Sequence, residues 1–245
     1  KRYFKIAKII RKENFDVGID LRGSFSNSFL MYISKIKYKI GFLENKICKK
    51  FLDFYLIRDK NKHESFLTLD LINKGLNINA KNHWPDIQIN QDDEKQTKDF
   101  LKRFKLKEKG YICIYPEASY KEKQWPLERF SEIISYLSEK KKEKVIIIIN
   151  NLEELNKIKN DKCIILRTNN LRMIYHIFKK GKMAICIDGG PMHLAWASKT
   201  KTIAIMPEFF NVKHVRPLGK NSKIITPRYG TIDSIKVEEV KKWLG

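Results

Sequence analysis

The sequence predicts an α/β protein of parallel sheets and crossover helices, and three observations carry that expectation. Apolar strand-like runs alternate with helical patterns from end to end, with neither internal repeats nor low-complexity tracts. Pro126 and Pro191 stand where helices would begin, a favourable first-turn position. With 245 residues, 42% hydrophobic and 11% aromatic, the chain is long enough to bury a sizeable core, in two small domains more comfortably than in one.

Residues 15–20 read as a strand, 24–33 as a helix, and 38–42 as a short strand. Residues 63–75, with Phe66, Leu67, Leu69, Leu71 and Ile72, read as a helix ended by Gly75. Residues 77–91 contain Trp84-Pro85 and several polar residues without helical period, so the domain linker is expected there, dividing the chain into 1–90 and 91–245. Residues 92–104 form a charged helix pattern. Strands are expected at 111–115, 145–149, 163–166, 183–187 and 202–206, and helices from Pro126 through Leu137 and from Pro191 through Ala197. The second half thus reads as a nearly complete Rossmann-like domain, and the first as an incomplete one.

Fifty Lys and Arg against 28 Asp and Glu give a net charge of +22, which favours anionic partners in general and is, on its own, the signature of a solvated basic surface. The longest aliphatic run, 145–149, is far too short to cross a bilayer. The chain begins at Lys1 without an apolar signal segment, from which an upstream segment is expected. Cys48, Cys113, Cys163 and Cys186 show no Cys-x-x-Cys spacing and three lie in strand-like runs, which suits a reducing cytoplasm and not a zinc site.

Three segments carry chemistry. In residues 184–197 a strand runs into Asp188-Gly189-Gly190-Pro191-Met192-His193 and a helix; such a turn brings unpaired helix N-terminal N–H groups to the carboxyl edge of a parallel sheet, where phosphate is favoured. The loop from Pro116 to Pro126 carries Ser119 and Lys123, and an ammonium on that same edge would neutralise a diphosphate leaving group. Asp20-Leu21-Arg22-Gly23-Ser24, at a strand end in the first half, offers a guanidinium and a hydroxyl for an anionic acceptor. Each segment alone is ordinary turn chemistry.

In this order and spacing, Pro116-Glu-Ala-Ser119, Lys123-Gln-Trp125-Pro126 and Asp188-Gly-Gly190-Pro191-Met-His193 together resemble glycosyltransferase family 9, the ADP-heptose:lipopolysaccharide heptosyltransferases. The resemblance extends to Asp20–Ser24, to the Ile40-Gly41-Phe42 strand, to His63-Glu64 and to a closing helix at 235–244, and so takes in nearly the whole chain. It implies a GT-B-like fold, two Rossmann-like domains facing across a cleft, the N-terminal one incomplete and the last helix packing back on it. It further implies that Ser119 and Lys123 contact the donor diphosphate, with Asp188, Gly189, Gly190 and His193 lining the phosphate and sugar pocket. Lys123, Asp188 and His193 would be catalytic. Glu153 or Glu154 falls where the family places a ribose-binding carboxylate, Thr168 and Asn169 would lie near the adenine, and Arg22 and Ser24 belong to the acceptor side.

The sequence departs from the family at three places. Gly189 replaces a Ser or Thr; Glu117 and Asn150 stand where glycine is common, which narrows the donor pocket or shifts its preference; and no Gly-Asp dipeptide, the family's expected carrier of the general base, occurs anywhere. Transfer by this chain is therefore expected to be poor, with Asp20 the first alternative base. The implied reaction is an inverting transfer of heptose or a related sugar from an ADP-sugar to a lipopolysaccharide-core or lipid A-linked acceptor. It needs no cofactor and, lacking an Asp-x-Asp pair, no metal. It would take place in the cytoplasm, with at most peripheral contact with the anionic inner face of the inner membrane. Two alternatives stand beside this reading: a degenerate or truncated nucleotide-sugar-binding protein without activity, and a basic nucleic-acid-binding protein. Only net charge supports the second, so no nucleic-acid partner is expected.

Overall fold

The computed structural model describes residues 2–82, 84–158, 162–208 and 212–245; Lys1, and residue 83 of the predicted linker, lie outside the described residues. The chain divides into two compact units, Lys1–Trp84 and Pro85–Gly245, so the boundary falls inside the predicted linker.

The N-terminal unit runs α1 (Arg2–Lys12), β1 (Val17–Asp20), α2 (Phe25–Ile33), β2 (Tyr38–Phe42), a 3-10 turn (Lys46–Lys50), β3 (Phe54–Leu56) and α3 (Glu64–Leu76). Its three strands are parallel in the order β1-β2-β3. Met31, Ile36, Cys48 and Leu52 form one small core, and Phe42, Leu67 and Leu71 another. Gly75 does not end α3 as predicted. The helix continues to Leu76 and is capped by Asn77 in the left-handed region (φ 53°). Gly75 instead permits close packing, since a Cβ there would sit 2.8 Å from Ile40 Cδ1.

The C-terminal unit runs α4 (Gln91–Arg103), β4 (Tyr111–Tyr115), α5 (Leu127–Ser135, extended by a wide turn over Tyr136–Lys140), β5 (Lys144–Ile148), α6 (Leu152–Lys157) and β6 (Ile164–Leu166). It continues through α7 (Leu171–Lys180), β7 (Met183–Ile187), α8 (Gly190–Ala197), β8 (Lys201–Ile205), α9 (Val212–Val215), β9 (Ser222–Ile225) and α10 (Val237–Lys241). Six parallel strands lie in the order β6-β5-β4-β7-β8-β9. Counted along the unit this is 3-2-1-4-5-6, the doubly wound order, whose direction of winding reverses between β4 and β7.

Strand alternation sends successive side chains to opposite faces. Ile112, Ile114, Val145, Ile147, Ile185 and Ile187 enter one core with Trp125, Phe130 and Ile133 of the α5 side. Cys113, Ile146, Ile148, Ala184 and Cys186 enter the other with Ile174, Ile177 and Phe178 of α7. The cysteines are free, and three of the four are buried. The closing helix is shorter than the 235–244 expected, and Val237, Val240 and Leu244 join the core under α5. Among the described residues no helix is long and apolar enough to cross a membrane.

Candidate active site

The reversal of winding leaves a crevice beyond the carboxyl ends of β4 and β7, where neighbouring loops leave the sheet in opposite directions. The loop after β4 carries Ser119 and Lys123, and the turn after β7 carries Asp188 to His193. The two meet there. Lys123 Nζ lies 2.6 Å from Asp188 Oδ2, with side-chain exposures of 16% and 5%. The Asp188 N–H donates to Ile205 O at 3.1 Å, so the carboxylate is anchored through β8 before it holds the ammonium.

Beside this pair α8 begins. Gly189 caps it in extended backbone (φ 174°), a conformation open to any residue, and Pro191 occupies the first turn. A Cβ on Gly189 would meet only Pro191 Cδ, at 3.9 Å, and one on Gly190 would meet nothing within 4 Å. Neither glycine is thus demanded by backbone or packing; what they leave is open space in front of helix N–H groups, where an anion is favoured. His193, one turn further on, is half-buried and sits edge-on to Trp196 with ring centroids 6.5 Å apart. Gly190→Ala, the smallest side chain that the position before Pro191 can take, should fold while narrowing this space, and weaker ADP binding by calorimetry is the expected outcome.

The loop bearing Lys123 is shaped by its neighbours. Gln124 Oε1 accepts from Ala118 N at 3.1 Å, while its Nε2 donates to Pro116 O and Trp125 O at 2.9 and 2.8 Å. Trp125 is fully buried, packs edge-on against Phe130 and donates from Nε1 to Ile235 O at 3.0 Å. Ser119 is exposed at the tip of the same loop. Gln124 was missed from the sequence because it stands at the variable position of Lys-x-Trp-Pro, and one amide side chain in a string carries no signal of three hydrogen bonds.

Beyond β5, Glu117 reaches across from the β4 loop. Its carboxylate accepts from Asn150 N (2.9 and 3.0 Å) and Asn151 N (2.6 Å), while Asn150 Nδ2 donates to Thr168 O at 3.1 Å. The two unusual residues flagged in the sequence therefore belong to one construction tying together the ends of β4, β5 and β6. Glu153 is exposed and Glu154 half-buried. Burial, and secondly the Glu117 carboxylate, holds Glu154 above the ordinary carboxyl range, and its Oε2 is buried without a hydrogen-bond partner among the described residues. Burial and Glu117 also push the Tyr115 hydroxyl up to about 12. Asn169 is exposed in the loop between β6 and α7.

A raised native pKa means that ionisation of Glu154 opposes folding. The penalty is absent below the unfolded-state value of about 4.3 and complete above the native one. Glu154→Gln should accordingly raise the melting temperature at pH 7, with the difference vanishing towards pH 4.

In the N-terminal unit the expected acceptor-side residues have different fates. Ser24 caps α2, its Oγ accepting from Asn27 N at 3.3 Å, and Arg22 is exposed. Asp20 is 3% exposed, and its carboxylate accepts from Arg22 N, Gly23 N, Asn27 Nδ2 and Ser28 Oγ. With four hydrogen-bond donors around its carboxylate, Asp20 shapes this turn. Arg58, unnoticed in the sequence, braces the edge: it donates to both Glu64 oxygens (2.6 and 2.7 Å) and to Leu21 O, and lies over the Phe42 ring at 4.2 Å.

Comparison with known proteins identifies the family and the fold. The family model of glycosyltransferase family 9 (heptosyltransferase) matches residues 3–244. A family 9 glycosyltransferase from Veillonella parvula superposes with a TM-score of 0.86 at 17% identity, covering 98% of this chain and 76% of that one. ADP-heptose lps heptosyltransferase II of E. coli gives 0.77 at 19% identity over 98% and 78%. The E. coli heptosyltransferase WaaC, solved with ADP, gives 0.78 at 17% identity over 99% and 76%. No curated protein matches the sequence. With a doubly wound parallel fold shared with these GT-B enzymes and a family match over nearly its full length, the chain belongs to glycosyltransferase family 9, the heptosyltransferases, and is a glycosyltransferase.

Proposed function

We propose that the chain transfers a heptose or a related sugar from an ADP-sugar to a lipopolysaccharide-core or lipid A-linked acceptor, with inversion and without a metal ion, on the cytoplasmic side of the membrane. The observation that carries this reading is the Lys123–Asp188 pair at the winding reversal, beside the open N-terminus of α8. Negative charge grows on the diphosphate as the glycosidic bond breaks, and a fixed ammonium with oriented N–H groups stabilises that charge most where water is scarce. Lys123 and the amides of the Gly189–Gly190 turn are the groups for this task, and Ser119 and His193 flank them. Asp188 is assigned to holding the ammonium in place, since a carboxylate touching the diphosphate would repel it.

Glu153 or Glu154 is assigned to the ribose hydroxyls, and Asn169 to the adenine side. On the acceptor side Arg22 joins the turn through its main-chain N–H and exposes its side chain, while the side chains of Asp20 and Ser24 are engaged in the turn. WaaC has been solved with ADP and with ADP-2-deoxy-2-fluoro heptose, which supports an adenine nucleotide here.

The test is calorimetry with ADP and UDP, followed by turnover of ADP-heptose with a lipid A-linked core acceptor, with and without a chelator. ADP binding in preference to UDP, release of ADP and an inverted anomeric centre unaffected by chelation are expected. Failure of the folded chain to bind ADP would overturn the donor assignment, and chelator-sensitive turnover would overturn metal independence.

A further inference from the structure

One surface of the N-terminal unit is not used by the site above. Phe25, Phe29 and Tyr32 recur along α2 at helical spacing and share a stripe. Phe25 and Phe29 stack at 5.7 Å, both meet Phe51 edge-on at 5.7 and 5.5 Å, and Tyr32 meets Phe51 at 5.3 Å. A core cluster would be covered, yet Phe25 is 43% and Tyr32 53% exposed, and Ile47 on the adjoining 3-10 turn is 45% exposed. Tyr32 also lines a cavity of about 680 Å³ between α1 and α2, whose walls include Phe4, Ala7 and Ile36 and whose rim carries Lys8 and Lys35.

The surroundings carry an excess of cations, although Lys37 and Lys39 are paired with Asp16 and Asp53. Residues 2–12 hold Arg2, Lys5, Lys8, Arg11 and Lys12 and no acid, and residues 21–51 hold seven Lys and Arg against the single acid Glu44. Water suits the rings poorly, and a second copy of the same face would be repelled by its like charge. The rings stack on one another, forming an apolar ridge rather than separate platforms for nucleic-acid bases. An anionic bilayer surface satisfies both features: amphipathic rings settle at the headgroup level, and Lys and Arg meet the phosphates.

We propose that the α1–α2 face, with Phe25, Phe29, Tyr32 and the cavity rimmed by Lys8 and Lys35, docks the protein on an anionic lipid bilayer. This deepens, and rests on, the reading that the acceptor is membrane-borne. Vesicle binding is measured without donor or acceptor, so its failure and a failure of sugar transfer are separate results.

The experiment is co-sedimentation of the full chain with phosphatidylcholine vesicles, alone or containing about one-third phosphatidylglycerol. Binding to the anionic vesicles only is expected, and Phe25→Ser/Tyr32→Ser should weaken it by roughly tenfold or more. Ile57→Ser/Tyr229→Ser, which removes two apolar groups exposed elsewhere (75% and 87%), should leave it unchanged. Should the aromatic variant fail to fold, charge reversal decides: Lys8→Glu/Lys35→Glu should weaken binding roughly tenfold more than Lys140→Glu/Lys142→Glu, the same change on the other unit. Equal losses from the two charge pairs, or no loss from the aromatic variant, would reduce the binding to net charge and overturn the proposal. So would a dimer, or tight oligonucleotide binding, that depends on Phe25 and Tyr32 while vesicles remain unbound.

Discussion

Alanine in place of Lys123 is expected to lower transfer by roughly 10²–10³-fold, the usual cost of removing one preorganised group facing developing negative charge. Affinity for ADP should fall by about 1–3 kcal/mol through loss of a charge-assisted contact. The same change strips the cation from Asp188, whose side chain is only 5% exposed, so stability should drop as well, by up to about 3 kcal/mol, and binding must be measured well below the melting temperature. Asp188→Asn separates the two roles. It keeps the ammonium and nearly the same side-chain shape, so ADP should bind about as well as to the parent, while kcat falls because Lys123 is less firmly held. Equal loss of ADP affinity in both variants would show that the pair is structural and that Lys123 does not touch the donor.

The largest effect on stability is expected at Trp125. Truncation to alanine leaves a cavity in the core shared by α5, β4 and β7, at a cost of about 3–5 kcal/mol. That is a substantial share of the roughly 5–15 kcal/mol by which a domain is stable. Trp125→Phe keeps much of the packing and loses the indole hydrogen bond. Arg129 also donates to Ile235 O, at 2.5 Å, so that carbonyl is not orphaned and the cost should be nearer about 1 kcal/mol. Urea denaturation of the three proteins checks the order. A Trp125→Ala protein as stable as Trp125→Phe would mean that the core closes over the missing ring.

What the sequence made legible follows from how local its cause is. Strands 111–115 and 183–187 were predicted to the residue, because five consecutive apolar side chains buried on both faces leave little choice of ends. Phe54–Leu56 and Ser222–Ile225 escaped notice: at three and four residues, with Ser-Lys opening the second, their strand character comes from the neighbours that pair with them. Arg2–Lys12 escaped for the opposite reason, since its apolar residues bury only Ala7 and serve no core stripe. At the site, Lys123 and Asp188 were legible as parts of paired turn motifs, whereas the bracing roles of Gln124, Glu117 and Arg58 exist only after folding brings distant carbonyls and amides within reach. The part Asp20 plays in its own turn was hidden for the same reason. A carboxylate in a string of letters does not show that four donors have already claimed it.

The clamp around Lys123 has a consequence for enzymology. From Ala118 to Trp125 the loop is held by a carboxamide, an indole and main-chain groups, none of which gains or loses a proton between pH 4 and pH 10. The shape of this stretch is thus indifferent to acidity across the working range; the Glu117 carboxylate, which ties the start of the loop to Asn150 and Asn151, is a separate tether. A pH–rate profile for this protein would then report on the groups that meet the substrates, undistorted by any loosening of this clamp.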